Sequence, residues 1–127
     1  MNKDISIMIV DDSKPIRLVI RAILENEGYK TFDEAEDGVA ALGILKSKKI
    51  DLIISDWNMK GITGIELLLK VRADQETAQT PFIMVSVEGG DVSIDRAFKS
   101  GANDFVSKPF TRNQLIASVN RVMKQTA

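Results

Sequence analysis

Residues 5–24 read ISIMIVDDSKPIRLVIRAIL: a short apolar run, two aspartates, then apolar residues at helical spacing. Ile5–Val10 has strand length, and its apolar side chains are nearly continuous, as in a parallel strand buried on both faces. Beyond the acidic pair, Ile16, Ile20, Ile23 and Leu24 fall at i, i+4, i+7 and i+8 and line one helical stripe. Ser13 is placed to cap that helix, Pro15 is tolerated in its first turn, and Gly28 suits its end. Working outward, the same alternation recurs. Strands are predicted near Lys30–Asp33 and at Asp51–Ser55, Pro81–Val85 and Asp104–Val106. Helices are predicted after Asp37, after the capping-box pairs Thr63/Glu66 and Thr111/Gln114, and through Ile94, Ala97 and Phe98 up to Gly101. Five strand–helix repeats predict an α/β fold, a doubly wound five-stranded parallel sheet with helices on both faces.

The 127 residues are 44% hydrophobic and 28% charged, which is the size and composition of one globular domain, expected over residues 1–127 without an output domain. Seventeen basic against 18 acidic residues leave a net charge of −1, so nucleic acid is not an expected partner. The absence of cysteine and histidine excludes disulfides, thiolate metal sites and a Ser-His-Asp hydrolase. Apolar runs such as Ile7–Val10 and Phe82–Val85 are far shorter than the ~20 residues of a membrane span. The start MNKDIS does not resemble a signal peptide. A cytoplasmic protein with no membrane partner is expected.

In an open parallel sheet, ligands bind beyond the carboxyl ends of the strands, where strand order reverses. The predicted ends carry Asp11-Asp12, Asp56, Ser86 and Lys108-Pro109. Singly, an aspartate pair before a helix reads as capping and a Lys-Pro after a strand as a turn. Together they bring three acids, a hydroxyl and a lysine to one rim. Three carboxylates in one concavity raise one another's pKa unless a divalent cation neutralises them. An oxygen-only donor set selects magnesium or a similar hard ion such as manganese. A carboxylate beside such a cation, with a lysine and a hydroxyl for the remaining oxygens, fits phosphoryl transfer. Asp56 is the candidate nucleophile, forming an acyl phosphate.

The segments IMIVDDSKPIR (7–17), EAEDGVAAL (34–42), DLIISDWNMKGITG (51–64), FIMVSVE (82–88) and GANDFVSKPFT (101–111) follow one another as in a known family. In order and spacing they resemble the receiver domains of two-component response regulators, most of all the single-domain chemotaxis regulators. The resemblance covers essentially the whole chain and implies a flavodoxin-like sheet of order 2-1-3-4-5. It implies Asp56 as phosphoacceptor, Asp12 as direct metal ligand, Asp11 as an acid reaching the metal through water, and the main-chain carbonyl of Asn58 as a further ligand. Ser86 matches the hydroxyl that bonds a phosphoryl oxygen, Lys108 the lysine that pairs with another, and Phe105 the aromatic switch. A cis bond at Pro109 is implied, aiming Lys108 into the site. Asn58 and Glu88 match positions bordering the path of the hydrolytic water, and are expected to tune dephosphorylation.

The implied protein is a monomeric signalling phosphoprotein, not an enzyme with a separate substrate. Its implied partners are a histidine kinase, then a flagellar motor switch protein or a histidine phosphotransfer protein, and a phosphatase. Ser86 and Phe105 are expected to reshape the face of the fourth helix, fifth strand and fifth helix, on whose outer side Lys99, Arg112 and Arg121 would meet an acidic partner segment. One departure is the loop after Asp56, with Lys60 where the family commonly has proline and Thr63 where it commonly has aspartate. A flavodoxin-like cofactor binder is disfavoured because Asp11-Asp12 would repel an FMN phosphate. A haloacid-dehalogenase-type phosphatase would need Asp-x-Asp where this chain has Asp56-Trp57-Asn58. No G-x-x-x-x-G-K-[ST] occurs for a P-loop NTPase. A phosphorelay intermediate remains the alternative to a chemotaxis regulator.

Overall fold

The computed structural model describes residues 2–87 and 90–126. In chain order the elements are β1 (Ser6–Val10), α1 (Lys14–Asn26), β2 (Thr31–Ala35), α2 (Gly38–Ser47), β3 (Leu52–Asp56), α3 (Gly64–Ala73), β4 (Phe82–Ser86), α4 (Asp91–Lys99), β5 (Asp104–Ser107) and α5 (Arg112–Thr126). The five strands form one sheet in the order β2-β1-β3-β4-β5, and every neighbouring pair is parallel. The reversal of direction after β1 leaves a crevice beyond the ends of β1 and β3.

Alternation along the strands builds two cores. Met8, Val10, Ile53, Phe82 and Met84 face α2, α3 and α4, where they meet Ala41, Leu67, Leu68, Val71 and Ala97. Ile7, Ile9, Leu52, Ile54, Ile83 and Val85 face α1 and α5, against Ile20, Leu24, Leu115, Val119 and Val122. The second strand differs most from expectation, running over Thr31–Ala35 instead of Lys30–Asp33. Its register sets Thr31 opposite Ser6 and Ala35 opposite Val10. As an edge strand it needs few apolar residues, and it carries Asp33, paired with Lys48, and Glu34, paired with Arg17 and Arg21.

The expected caps form. Ser13 Oγ accepts from Ile16 N, and Asp37 Oδ1 from Ala40 N at 2.8 Å. Thr63/Glu66 and Thr111/Gln114 each close a reciprocal box. Gly28 takes φ +105°, and there Gly28 N donates to Glu25 O and Tyr29 N to Leu24 O, the pair of hydrogen bonds that ends a helix through a left-handed residue.

A close approach at the start of α3 was not apparent from sequence. A Cβ on Gly64 would collide with the Asp56 carbonyl and stand 2.8 Å from Trp57 Cα and 2.9 Å from Met84 Sδ. Gly64 N also donates to Trp57 O at 2.7 Å. Gly43, in the exposed interior of α2, has open space around it. Gly64→Ala should therefore lower unfolding free energy by about 2–3 kcal/mol through overpacking. Gly43→Ala should raise it by about 0.5–1 kcal/mol through helix propensity. Urea denaturation of the two variants measures both, and equal effects would contradict the packing described here.

Candidate functional site

β1 delivers Asp11 and Asp12 into the crevice. Asp11 is 2% exposed: its N–H donates to Ala35 O, its Oδ1 accepts from Ser13 N at 2.9 Å, and its Oδ2 accepts from Lys108 Nζ at 3.0 Å. Asp12 lies exposed beside it. β3 ends in Asp56, 7% exposed, whose Oδ1 accepts from the same Lys108 Nζ at 3.1 Å. Oxygens of Asp11, Asp12 and Asp56 lie within 4.8 Å of one another. The sheet thus brings segments 44 to 97 positions apart to one point, because β1 and β3 are adjacent and Lys108 follows β5.

Burial raises the Asp56 pKa, and the neighbouring charge of Asp11 raises it further; the Lys108 hydrogen bond and charge offset part of this. For Lys108, burial alone would lower the pKa, but bonds and charges from Asp11 and Asp56 outweigh it and the net direction is up. An all-oxygen cluster of three carboxylates with one lysine retains an excess of negative charge. That donor chemistry fits a hard divalent cation, with Asp11, Asp12 and Asp56 as the residues able to hold it.

Ser86 ends β4 and is fully buried; its carbonyl accepts from Lys108 N at 2.8 Å. The Lys108–Pro109 peptide bond is cis. Phe105 lies opposite Met84 in the β4–β5 register, half-buried, edge-on to Trp57 at 6.3 Å between ring centroids. Arg96 of α4 lies over the Trp57 ring at 5.9 Å. Asn58 is exposed in the turn leaving β3. Glu88 lies outside the described residues. In the loop after Asn58, Lys60 is exposed and Gly61 takes φ +79°.

The three cations assigned to the outer face are exposed and each makes a surface ion pair. Lys99 pairs with Asp95 on its own helix, Arg112 with Glu27, and Arg121 with Asp104, because each finds a carboxylate within reach inside the chain. A groove of about 470 Å³ does lie on that side, between β5 and α5, lined in part by Phe105, Pro109, Gln114 and Arg121. None of Asp11, Asp12 and Asp56 lines it, so it is a surface feature and not the chemical centre.

One residue close to the acids was missed. Arg17 of α1 donates to the Asp11 main-chain carbonyl at 2.6 Å and to Glu34 at 3.0 Å. An arginine on an amphipathic helix carries no mark in the sequence that would separate it from a solvated one.

The raised pKa of Asp56 has a defined sign. The unfolded chain loses that proton first, so ionisation penalises the folded state at every pH above the folded value, and the penalty vanishes below the unfolded pKa of about 4. In metal-free protein, Asp56→Asn should be more stable than the parent at pH 7, with the gap closing as pH falls toward 4. The contribution of Lys108 runs the other way: present at neutral pH, and lost as pH rises through its raised folded pKa. Thermal melts of parent and Asp56→Asn in EDTA between pH 4 and 8 check the first statement; a pH-independent gap would contradict it.

Residues 7–120 match the response regulator receiver domain family. The chain is 35% identical over 125 residues to chemotaxis protein CheY-3 of Vibrio cholerae, covering 98% of this chain and 96% of that protein. It is 39% identical over 119 residues to chemotaxis protein CheY of Pseudomonas aeruginosa, covering 94% and 96%. Among solved structures, chemotaxis response regulator CheY4 of Vibrio cholerae aligns with a TM-score of 0.88 at 32% identity, over 94% of this chain and 98% of that one. The receiver domain of Francisella response regulator 1452 aligns with a TM-score of 0.88 at 31% identity, over 98% and 100%. With a matching fold, an acidic crevice at the ends of β1 and β3, and likeness along nearly the whole chain, the protein belongs to the receiver domain family of two-component response regulators.

Proposed function

We propose that the chain accepts a phosphoryl group on Asp56 from the phosphohistidine of a histidine kinase, in a magnesium-dependent reaction. The observation that carries this reading is the Lys108 ammonium bridging Asp11 and Asp56, with three carboxylates converging within 4.8 Å. An Asp56 oxygen attacks phosphorus, the P–N bond breaks, and its electron pair returns to the imidazole. Asp11, Asp12, Asp56 and the main-chain carbonyl of Asn58 would hold the cation, which supplies charge neutralisation at the phosphoryl oxygens. Lys108, already paired with Asp56, is positioned to take up one phosphoryl oxygen as it arrives, and the Ser86 hydroxyl another. Phe105, in contact with Trp57 beside the acceptor, then carries the change toward α4, β5 and α5. Asn58 and Glu88 tune access of water to the acyl phosphate.

For the pathway, likeness to chemotaxis proteins along nearly the whole chain supports a chemotaxis regulator whose target is a flagellar motor switch protein. Its groove between β5 and α5 offers a receptive surface. Among the described residues, no helix is long and apolar enough to cross a membrane.

Incubation with a small acyl phosphate and magnesium should add one phosphoryl group by mass, while Asp56→Asn or excess EDTA should remove that addition. Equal labelling of Asp56→Asn would overturn the acceptor assignment. Phosphorylated chain should then bind the motor switch protein of its own organism more tightly than unphosphorylated chain does. Rapid transfer of the label to a histidine phosphotransfer domain, with no change in motor-protein affinity, would instead place the chain in a relay.

A further inference from the structure

Arg17 makes a pair of contacts that link the acidic turn to the edge of the sheet. Its side chain is 12% exposed and enclosed between α1 and β2. Nη1 donates to the main-chain carbonyl of Asp11 at 2.6 Å, and Nε donates to Glu34 Oε1 at 3.0 Å. The other Glu34 oxygen accepts from Arg21 Nη1 at 3.2 Å. Glu34 itself stands opposite Ile9 in the β1–β2 register, so the carboxylate that holds Arg17 is fixed to the strand leading into the acids.

The Asp11 carbonyl belongs to the peptide group joining Asp11 to Asp12. Because that group is planar, holding its oxygen fixes the plane and the direction in which the chain enters Asp12. Asp11 has further restraints, through its N–H to Ala35 and its carboxylate to Ser13 and Lys108. Asp12 is exposed, so the backbone ahead of it largely decides where its carboxylate points. We propose that Arg17 is a positioning residue for the acidic pair, locking the Asp11–Asp12 peptide so that the Asp12 carboxylate converges with Asp11 and Asp56 on a divalent cation. The inference rests on the reading that these acids hold magnesium, and it assigns Arg17 no contact with the metal.

Positioning and simple charge predict opposite signs. Removing a guanidinium near an acidic site takes away repulsion toward an incoming cation, so a pure charge effect would tighten magnesium binding. Loss of a group that orients metal ligands typically weakens binding by 10–100-fold. Magnesium affinity is measured by calorimetry for the parent, Arg17→Ala, Arg17→Lys and Arg21→Ala, with thermal melts of each. Arg17→Ala should bind magnesium about 10-fold more weakly. Arg17→Lys should lose less than Arg17→Ala, since its ammonium can still reach one acceptor, yet bind more weakly than the parent, since it lacks the fork that reaches both; it carries the comparison if the alanine variant does not fold. Arg21→Ala, which removes a guanidinium from the same Glu34 but touches neither acid, should bind as tightly as the parent or more so. Unchanged or tighter binding by the Arg17 variants, or equal weakening in Arg21→Ala, would overturn the inference. A parent chain that binds no magnesium would overturn instead the metal-site reading beneath it.

Discussion

Two buried carboxylates at the ends of adjacent strands are the constraint around which the fold is arranged. Asp11 and Asp56 are among the few charged groups in an interior otherwise formed by isoleucine, leucine, valine, methionine and phenylalanine, and charges there are costly unless compensated. Compensation comes from Lys108, which follows the strand two places away from β3 in the sheet. Three separate segments must therefore be in register before the crevice is electrostatically tolerable. Register is in turn secured by the two apolar cores, since a slip of one residue in any inner strand would send its side chains to the opposite face.

The strand–helix alternation was legible because a buried parallel strand and an amphipathic helix leave different periods in the sequence. Ile7–Val10 and Phe82–Val85 are continuous apolar runs, whereas Ile16, Ile20 and Leu24 recur at helical spacing. Capping was equally readable at Ser13, Asp37, Thr63 and Thr111, where a short polar side chain and an N–H three residues on settle a local matter. Strand order came through family resemblance, because no local signal says which strands are neighbours. The exact span of the second strand was obscured by its charges, which suit an edge but mask the period.

The residues that escaped notice have a common character. Gly64 matters because the backbone of Asp56 and Trp57 passes close by, a proximity defined by the β3–α3 turn in three dimensions. Arg72 donates to the carbonyls of Gly101, Thr77 and Thr80 and to Asn103 Oδ1, tying the end of α3 to the turn before β5. Its partners are 5 to 31 positions away, and most are main-chain oxygens, which look alike at every position in a sequence. The same holds for Arg17 and the Asp11 carbonyl. Conversely, the charges of Lys99, Arg112 and Arg121 are visible in sequence, while the carboxylates they pair with at the surface, Asp95, Glu27 and Asp104, are not.

The ion pairs on β2 have a consequence beyond the crevice. An edge strand presents unpaired backbone groups to which another chain can add. Here that edge is lined by Asp33 and Glu34, joined to Lys48, Arg17 and Arg21, with Arg21 also lying 5.2 Å from the Phe32 ring. Desolvating the exposed members of these pairs, Lys48 and Arg21, would oppose strand addition. At the other edge, Asp104 is occupied by Ser118 and Arg121. Charge that locally organises the sheet thus also guards both of its borders against edge-to-edge aggregation.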